Sequence, residues 1–145
     1  MNPEHAERFT PGMVAPCGLN CAVCKRALRR EERCLGCRGP DGAKPEYCFS
    51  ICTIWKCDKL LSSGWAFCDA CPDYPCAQVL EKEARYAAKY VLTESPMGNL
   101  ARIRAQGMEA FLFGERARWE CPECGGTLCV HTGECADCGH IRRKP

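Results

Sequence analysis

Apolar positions recur at helical spacing in only one part of the chain. From residue 77 to about 91 the sequence AQVLEKEARYAAKYV lacks Gly and Pro. Val79, Leu80, Ala84, Ala87 and Val91 fall there at three- and four-residue steps, which predicts an amphipathic helix with those residues on one face. Ser95-Pro96 breaks it. A second short helix is predicted over 99–105, carrying Leu100 and Ile103 inward. Gly107 is placed to cap it, and a third helix follows over 108–119. The stripe Met108, Phe111, Leu112, Phe113 and Trp119 on that helix reads as core.

Before residue 77 the pattern is different. Residues 1–13 are polar and read as a flexible leader. Residues 14–76 are punctuated by Gly and Pro, including Pro16, Gly18, Gly36, Gly39-Pro40, Gly42, Pro45, Gly64, Pro72 and Pro75. Loops and short helices are expected there, with few long regular elements. Residues 120–145 form a fourth segment. In it, Thr127-Leu128-Cys129-Val130 has strand character and His131-Thr132-Gly133 turns the chain, which predicts a C-terminal β-hairpin. The expected fold class is a small metal-stabilised α+β protein: a cysteine-rich loop region, short helices and a zinc-ribbon hairpin.

Cysteine content decides how such a chain holds together. Sixteen of the 145 residues are Cys, far above ordinary usage and in the range of stapled scaffolds. The staples are either disulfides or metal ions. The polar start of the chain shows no secretory signal, and no apolar run reaches the length of roughly 20 residues that crosses a bilayer. A cytoplasmic location without membrane attachment is therefore expected, where thiols stay reduced and bind metal. The formal net charge is +2 with the thiols neutral. Each Zn2+ held by four thiolates carries a net −2, which argues against a broadly basic, nucleic-acid-coating protein. The run Lys25, Arg26, Arg29, Arg30 and Arg33, offset by Glu31 and Glu32, reads as a solvated helical face.

The strongest motif is CPECGGTLCVHTGECADCGH at 121–140. Cys121-x2-Cys124 and Cys135-x2-Cys138 are two identical knuckles ten residues apart, supplying four soft donors to one tetrahedral ion. Gly125 and Gly139 follow the second cysteine of each knuckle, where a positive φ turns N–H groups toward sulfur. Four donors make a closed structural site. His131 and His140 are candidate extra ligands, and Cys129 reads as a buried small hydrophobe.

Upstream, Cys17-x3-Cys21-x2-Cys24, Cys34-x2-Cys37, Cys48-x3-Cys52-x4-Cys57 and Cys68-x2-Cys71-x4-Cys76 give eleven further thiols. These fill two four-ligand sites with three to spare, or bridge ions in a multinuclear site; spacing alone does not assign the partners. The expected complement is about three zinc ions, the alternative a [4Fe-4S] cluster in this region. The Cys17, Cys21, Cys24 triad has the spacing of radical-SAM enzymes, but about 60 loop-rich residues cannot build their partial barrel. No catalytic set stands out, so the reading leans away from an enzyme.

Taken in order, the motifs CGLNCAVC from Cys17, CLGC from Cys34, CTIWKC from Cys52 and CDACPDYPC from Cys68 resemble a family of small cysteine-rich bacterial and archaeal proteins. That family is of unknown function and is described as zinc-binding. Asn99-Leu100-x-Arg102-Ile103, Gly107 and Arg118-Trp119 resemble its helical portion, followed by the ribbon that some members carry. The resemblance runs over about residues 14–140 and implies a metal-binding fold without an assigned reaction. It accounts for ten of the eleven cysteines and leaves Cys48 as the spare. A structural, protein-docking adaptor is the leading function. A redox or electron-transfer iron–sulfur protein is the second. The third, nucleic-acid binding, rests on the ribbon with Arg142, Arg143 and Lys144.

Overall fold

The computed structural model describes residues 1–52 and 54–142, residues 49 and 50 by their backbone. Arg143 and Lys144 of the expected basic tail therefore lie outside the described residues. Five α-helices carry the regular structure: α1 (Pro3–Arg8), α2 (Asp58–Ser63), α3 (Ala77–Ala88), α4 (Pro96–Gln106) and α5 (Met108–Arg118). Between them, single 3-10 turns and one π turn at Tyr47–Ile51 carry the cysteine-rich chain. No described helix is long and apolar enough to cross a membrane.

The helical half follows from local chemistry. Pro96, expected only to end the preceding helix, occupies the first position of α4, where its missing N–H has no partner to lose. The Ser95 hydroxyl caps that helix by accepting from the Gly98 N–H at 2.9 Å. Gly107, at φ +91°, both ends α4 and starts α5. α3 packs on α4 and α4 on α5. Phe111, Leu112 and Trp119 are buried as expected, but Phe113 is 75% exposed. On α3 the buried face is Val79, Lys82 and Tyr86, while Leu80 is exposed, as is Val91, which lies beyond the helix end.

The expected α+β class is not observed, nor is the C-terminal hairpin. Among the described residues there is no strand or sheet, only isolated bridges: Val14 with Asn20, Glu120 with Thr127, Leu128 with Cys135, and Glu134 with Ile141. The reason lies in where residues 127–131 send their hydrogen bonds. Leu128 N–H goes to Trp119, Cys129 N–H to Glu134 and Val130 N–H to Val23, while the Val130 and His131 carbonyls accept from Leu92 and Val91. Thr127 and Cys129 do pair with Ala136 and Glu134, but Leu128 N–H, Val130 and His131 turn to other segments, so the pairing stops short of a ladder. The basic run around Lys25–Arg33 forms turns, not the expected helical face.

Within residues 1–13, expected as a flexible leader, α1 lies against the C-terminal segment. His5 is fully buried and bridges the Thr127 hydroxyl and the Arg116 carbonyl, both at 2.7 Å. The Arg116 guanidinium donates to the Ala6 and Phe9 carbonyls.

A buried polar network ties the first cysteine loop to the helices. Asn20 donates from its amide to Glu115 at 3.0 Å and from its backbone to Glu94 at 3.2 Å. Asn99 donates to Glu94 and to the Gly18 carbonyl, each at 2.9 Å. Arg102 joins the Asn99 oxygen to Glu115. Gly18 sits at φ +98° directly against Pro96 and Leu100, leaving no room for a Cβ. The loop is thus pinned within a few residues of Cys17 and Cys21.

Burial, aided by the nearby Glu115 charge, pushes the Glu94 carboxyl up to about 8 from its ordinary 4.5. Glu94 therefore stays protonated in the fold while the unfolded chain ionises. The stability tied to it is fully present below pH 4.5 and is lost as pH rises through about 8. Glu94→Gln keeps the acceptor oxygen and removes the titration. The variant's unfolding free energy should fall less steeply than that of wild type between pH 6 and 8.5, by about a few kcal/mol over that range. Parallel melting curves for the two proteins would contradict this.

Candidate metal centres

Cys121, Cys124, Cys135 and Cys138 converge. Their four sulfurs all lie within 4.8 Å of one another, with Cys121 to Cys138 at 3.7 Å and Cys124 to Cys135 at 3.6 Å. A tetrahedron of sulfurs about 2.3 Å from zinc has edges of about 3.8 Å, so the quartet fits that ion. The two knuckles are built alike. Gly125 N–H returns to the Cys121 carbonyl and Gly139 N–H to the Cys135 carbonyl, with the glycines at φ +74° and +79°. A backbone N–H turns onto sulfur in each, at a different point: Gly126, after the first knuckle, onto Cys124 at 3.3 Å, and Asp137, within the second, onto Cys135 at 3.4 Å. Burial opposes ionisation of Cys121, but the N–H groups of Cys124 and Glu123 outweigh it and hold the thiol below its usual range.

Neither candidate histidine belongs to the converging group. His131 packs edge-on against Tyr90, ring centroids 4.3 Å apart, and its Nδ1 accepts from the Lys25 N–H at 3.3 Å. Burial lowers its pKa to about 4. His140 contributes its backbone carbonyl, which accepts from Cys135 N–H at 2.7 Å. Cys129 is buried, as expected, and faces Cys24.

All sixteen cysteines are free thiols, and the structure divides the eleven upstream ones into two groups. Cys17, Cys21, Cys24, Cys34, Cys37, Cys48 and Cys52 line one enclosed cavity of about 30 Å³. Cys48, the expected spare, is among them. Burial pushes Cys17 and Cys48 up to about 12 and Cys24 up to about 11. The Cys21 thiol donates to Cys37, holding Cys37 down to about 7 and itself well up, with Lys82, Lys44 and Arg38 favouring the Cys37 thiolate. The second group is Cys57, Cys68, Cys71 and Cys76. Cys68 has the other three as its charged neighbours, and burial raises it to about 12. Cys57 and Cys76 stand at the first turns of α2 and α3, and Cys68 N–H is held by the Pro16 carbonyl at 2.8 Å.

Two lysines in the cavity wall escaped sequence reasoning. Lys82 is only 4% exposed. Burial opposes its charge, and the thiolates of Cys52 and Cys17 outweigh the opposition. Its ammonium lies 4.6 Å from the Tyr47 ring centre. Lys44, also buried, pairs with Asp41 at 2.8 Å and lies over Trp55 at 3.6 Å. A signal for Lys82 was present: it falls three residues after Val79 and four before Tyr86, on the buried face of α3.

Residues 13–81, a little under half of the chain, match the model of a family described as a protein of unknown function (DUF3795). The matched segment contains both upstream cysteine groups, whereas α4, α5 and the C-terminal quartet lie beyond it. No curated protein and no solved structure matches the chain.

α1 rests on the quartet's turns: Asn2 N–H donates to the Gly125 carbonyl at 3.0 Å and Arg8 pairs with Asp137 at 3.5 Å. Cys138→Ser should remove one equivalent of metal and speed amide exchange in residues 120–141 and in Pro3–Arg8 together, by roughly tenfold or more. Full metal content with unchanged exchange at both places would refute the quartet as a metal site.

Proposed function

We propose that the protein is a multi-site zinc protein of the cytoplasm whose ions fasten its loops and whose work is docking onto a protein partner. The observation that carries the metal reading is the closure of four sulfurs within 4.8 Å, with no acid or imidazole among them. A set of four thiolates suits a structural, tetrahedral zinc, because it leaves no open position for substrate. The eleven upstream thiols, grouped as seven and four, supply further soft donors of the same kind. The docking reading draws support from Phe113, which α5 holds out in solvent instead of burying.

Structural zinc in small domains contributes roughly 10–16 kcal/mol of apparent binding energy, as much as the whole stability of an ordinary domain. Protein purified without oxygen should be colourless, carry zinc in several equivalents and contain no iron. Excess chelator should then abolish its cooperative thermal transition. A brown protein with broad absorption near ~400 nm and bound iron would overturn the zinc reading in favour of a cluster, since d10 zinc has no such bands. Apoprotein melting like the native form would overturn the structural role.

A further inference from the structure

One cleft on the helical half gathers groups that the cysteine clusters do not use. It runs between α3 and the start of α4, has a volume of about 480 Å³, and its walls include Glu83, Ala87, Thr93, Glu94, Arg102 and Arg118.

The two arginines are held at the head and still face solvent. One oxygen of the buried Glu115 accepts from Arg102 Nη2 at 3.1 Å and lies 3.8 Å from Arg118 Nη1. Arg102 also donates to the Asn99 side-chain oxygen at 2.7 Å and lies over the Phe111 ring. Arg118 donates to the Thr93 carbonyl at 2.9 Å and lies over the Trp119 ring. Their side chains nonetheless remain 39% and 41% exposed. Groups fixed in this way lose little freedom when a ligand arrives. One carboxylate shared by two guanidinium groups leaves positive charge over. Among the described residues only Nη2 of Arg102 meets an acceptor, so its Nε and Nη1 hydrogens are left for a ligand.

The other carboxylate of the wall limits what that ligand can be. Glu83 Oε1 accepts from the Ser95 hydroxyl and the Met97 N–H, so its charge sits at the start of α4. It disfavours a second negative charge on anything entering the cleft.

An independent observation is an unpartnered polar group in the same wall. Glu94 is only 2% exposed. Its Oε1 accepts from the Asn20 N–H and the Asn99 amide, while its buried Oε2 has no hydrogen-bond partner. Burial keeps this carboxyl neutral, and because Oε1 is the acceptor the proton falls to Oε2. A buried O–H without an acceptor is costly. Two guanidinium groups and one hydroxyl thus offer hydrogens, and what the cleft lacks is an acceptor.

We propose that this cleft binds a carboxylate, with Arg102 and Arg118 on its oxygens and the Glu94 hydroxyl as a third donor. A planar carboxylate matches the guanidinium fork, and its single charge matches the surplus that Glu115 leaves. It belongs either to a small acid or to the end of a polypeptide chain, and the experiment separates the two. The inference goes beyond the metal reading and does not depend on it.

The test titrates the full-length, metal-loaded protein near neutral pH and at constant ionic strength. The probes are sodium acetate, an acetylated Gly-Ala-Ala peptide with a free C-terminal carboxylate, and the same peptide amidated. NMR follows the arginine side-chain N–H signals. Saturable shifts at Arg102 and Arg118 with acetate, and none with the amide, are the expected result. A free-ended peptide that binds at least about threefold tighter than acetate marks a chain end as the ligand; equal or weaker binding marks a small acid. Arg102→Gln and Arg118→Gln should each weaken acetate binding at least about tenfold. Because Arg102 also holds the buried network, Ala87→Glu provides a check that leaves the network alone. It sets a like charge on an exposed wall position and should weaken binding at least about threefold. Glu94→Gln keeps a neutral donor and should hold the affinity within about threefold. Arg104→Gln, outside the cleft and paired with Asp69, should change nothing. The proposal is overturned by an absence of saturable shifts in the wild type, by equal weakening in Arg104→Gln, or by inorganic phosphate binding as tightly as acetate. Lost binding in Glu94→Gln would remove the third donor.

Discussion

Thiols crowded into an apolar interior cannot ionise unless cations stand among them, and that constraint organises this molecule. Seven cysteines share one enclosed space with two buried lysines. Burial alone drives several of these thiols far from ionisation, as Cys17 and Cys48 show. Only where ammonium groups and a donating thiol converge, at Cys37, does the balance tip toward thiolate. The interior is thus poised for positive charge, and the surrounding fold can be understood as the apparatus that keeps the sulfurs facing inward.

That apparatus is the helical half. α4 and α5 present Asn99, Arg102 and Glu115 to the first cysteine loop, and Asn20 and Gly18 receive them. The contacts are polar and buried, with one Glu94 oxygen left without a hydrogen-bond partner. α3 adds Lys82 from its buried face. The helices therefore position the thiol loop by hydrogen bonds and by one charge, with apolar packing from Val79, Phe111, Leu112 and Trp119 behind them.

Much of this was legible in the sequence because it rests on local chemistry. The helix boundaries near Pro96, Gly107 and Arg118 follow from residues that impose their own backbone geometry, and the C-terminal quartet follows from two short turns of fixed spacing. What was not legible depends on contacts between distant segments. The partition of the upstream thiols into seven and four is set by where the chain folds back, as when Cys68 N–H reaches the Pro16 carbonyl. The absent hairpin has the same origin, since Leu128, Val130 and His131 bond to Trp119, Val23 and Val91. Lys82 went unread because only apolar residues were counted on the buried face of that helix, and Phe113 was misplaced because an aromatic residue was read as core.

The C-terminal quartet is built with two faces. Cys121 and Cys135 are buried, whereas Cys124 and Cys138 are exposed. Any thiophilic agent arriving from solution, whether peroxide or a heavier soft cation, meets these two outer sulfurs first. Because α1 leans on the same turns, damage at that edge would propagate to the opposite end of the polypeptide while the enclosed sulfurs stayed shielded. The quartet's outer edge is thus the point at which chemistry from solution reaches a segment that also packs on α1 and on the first cysteine loop.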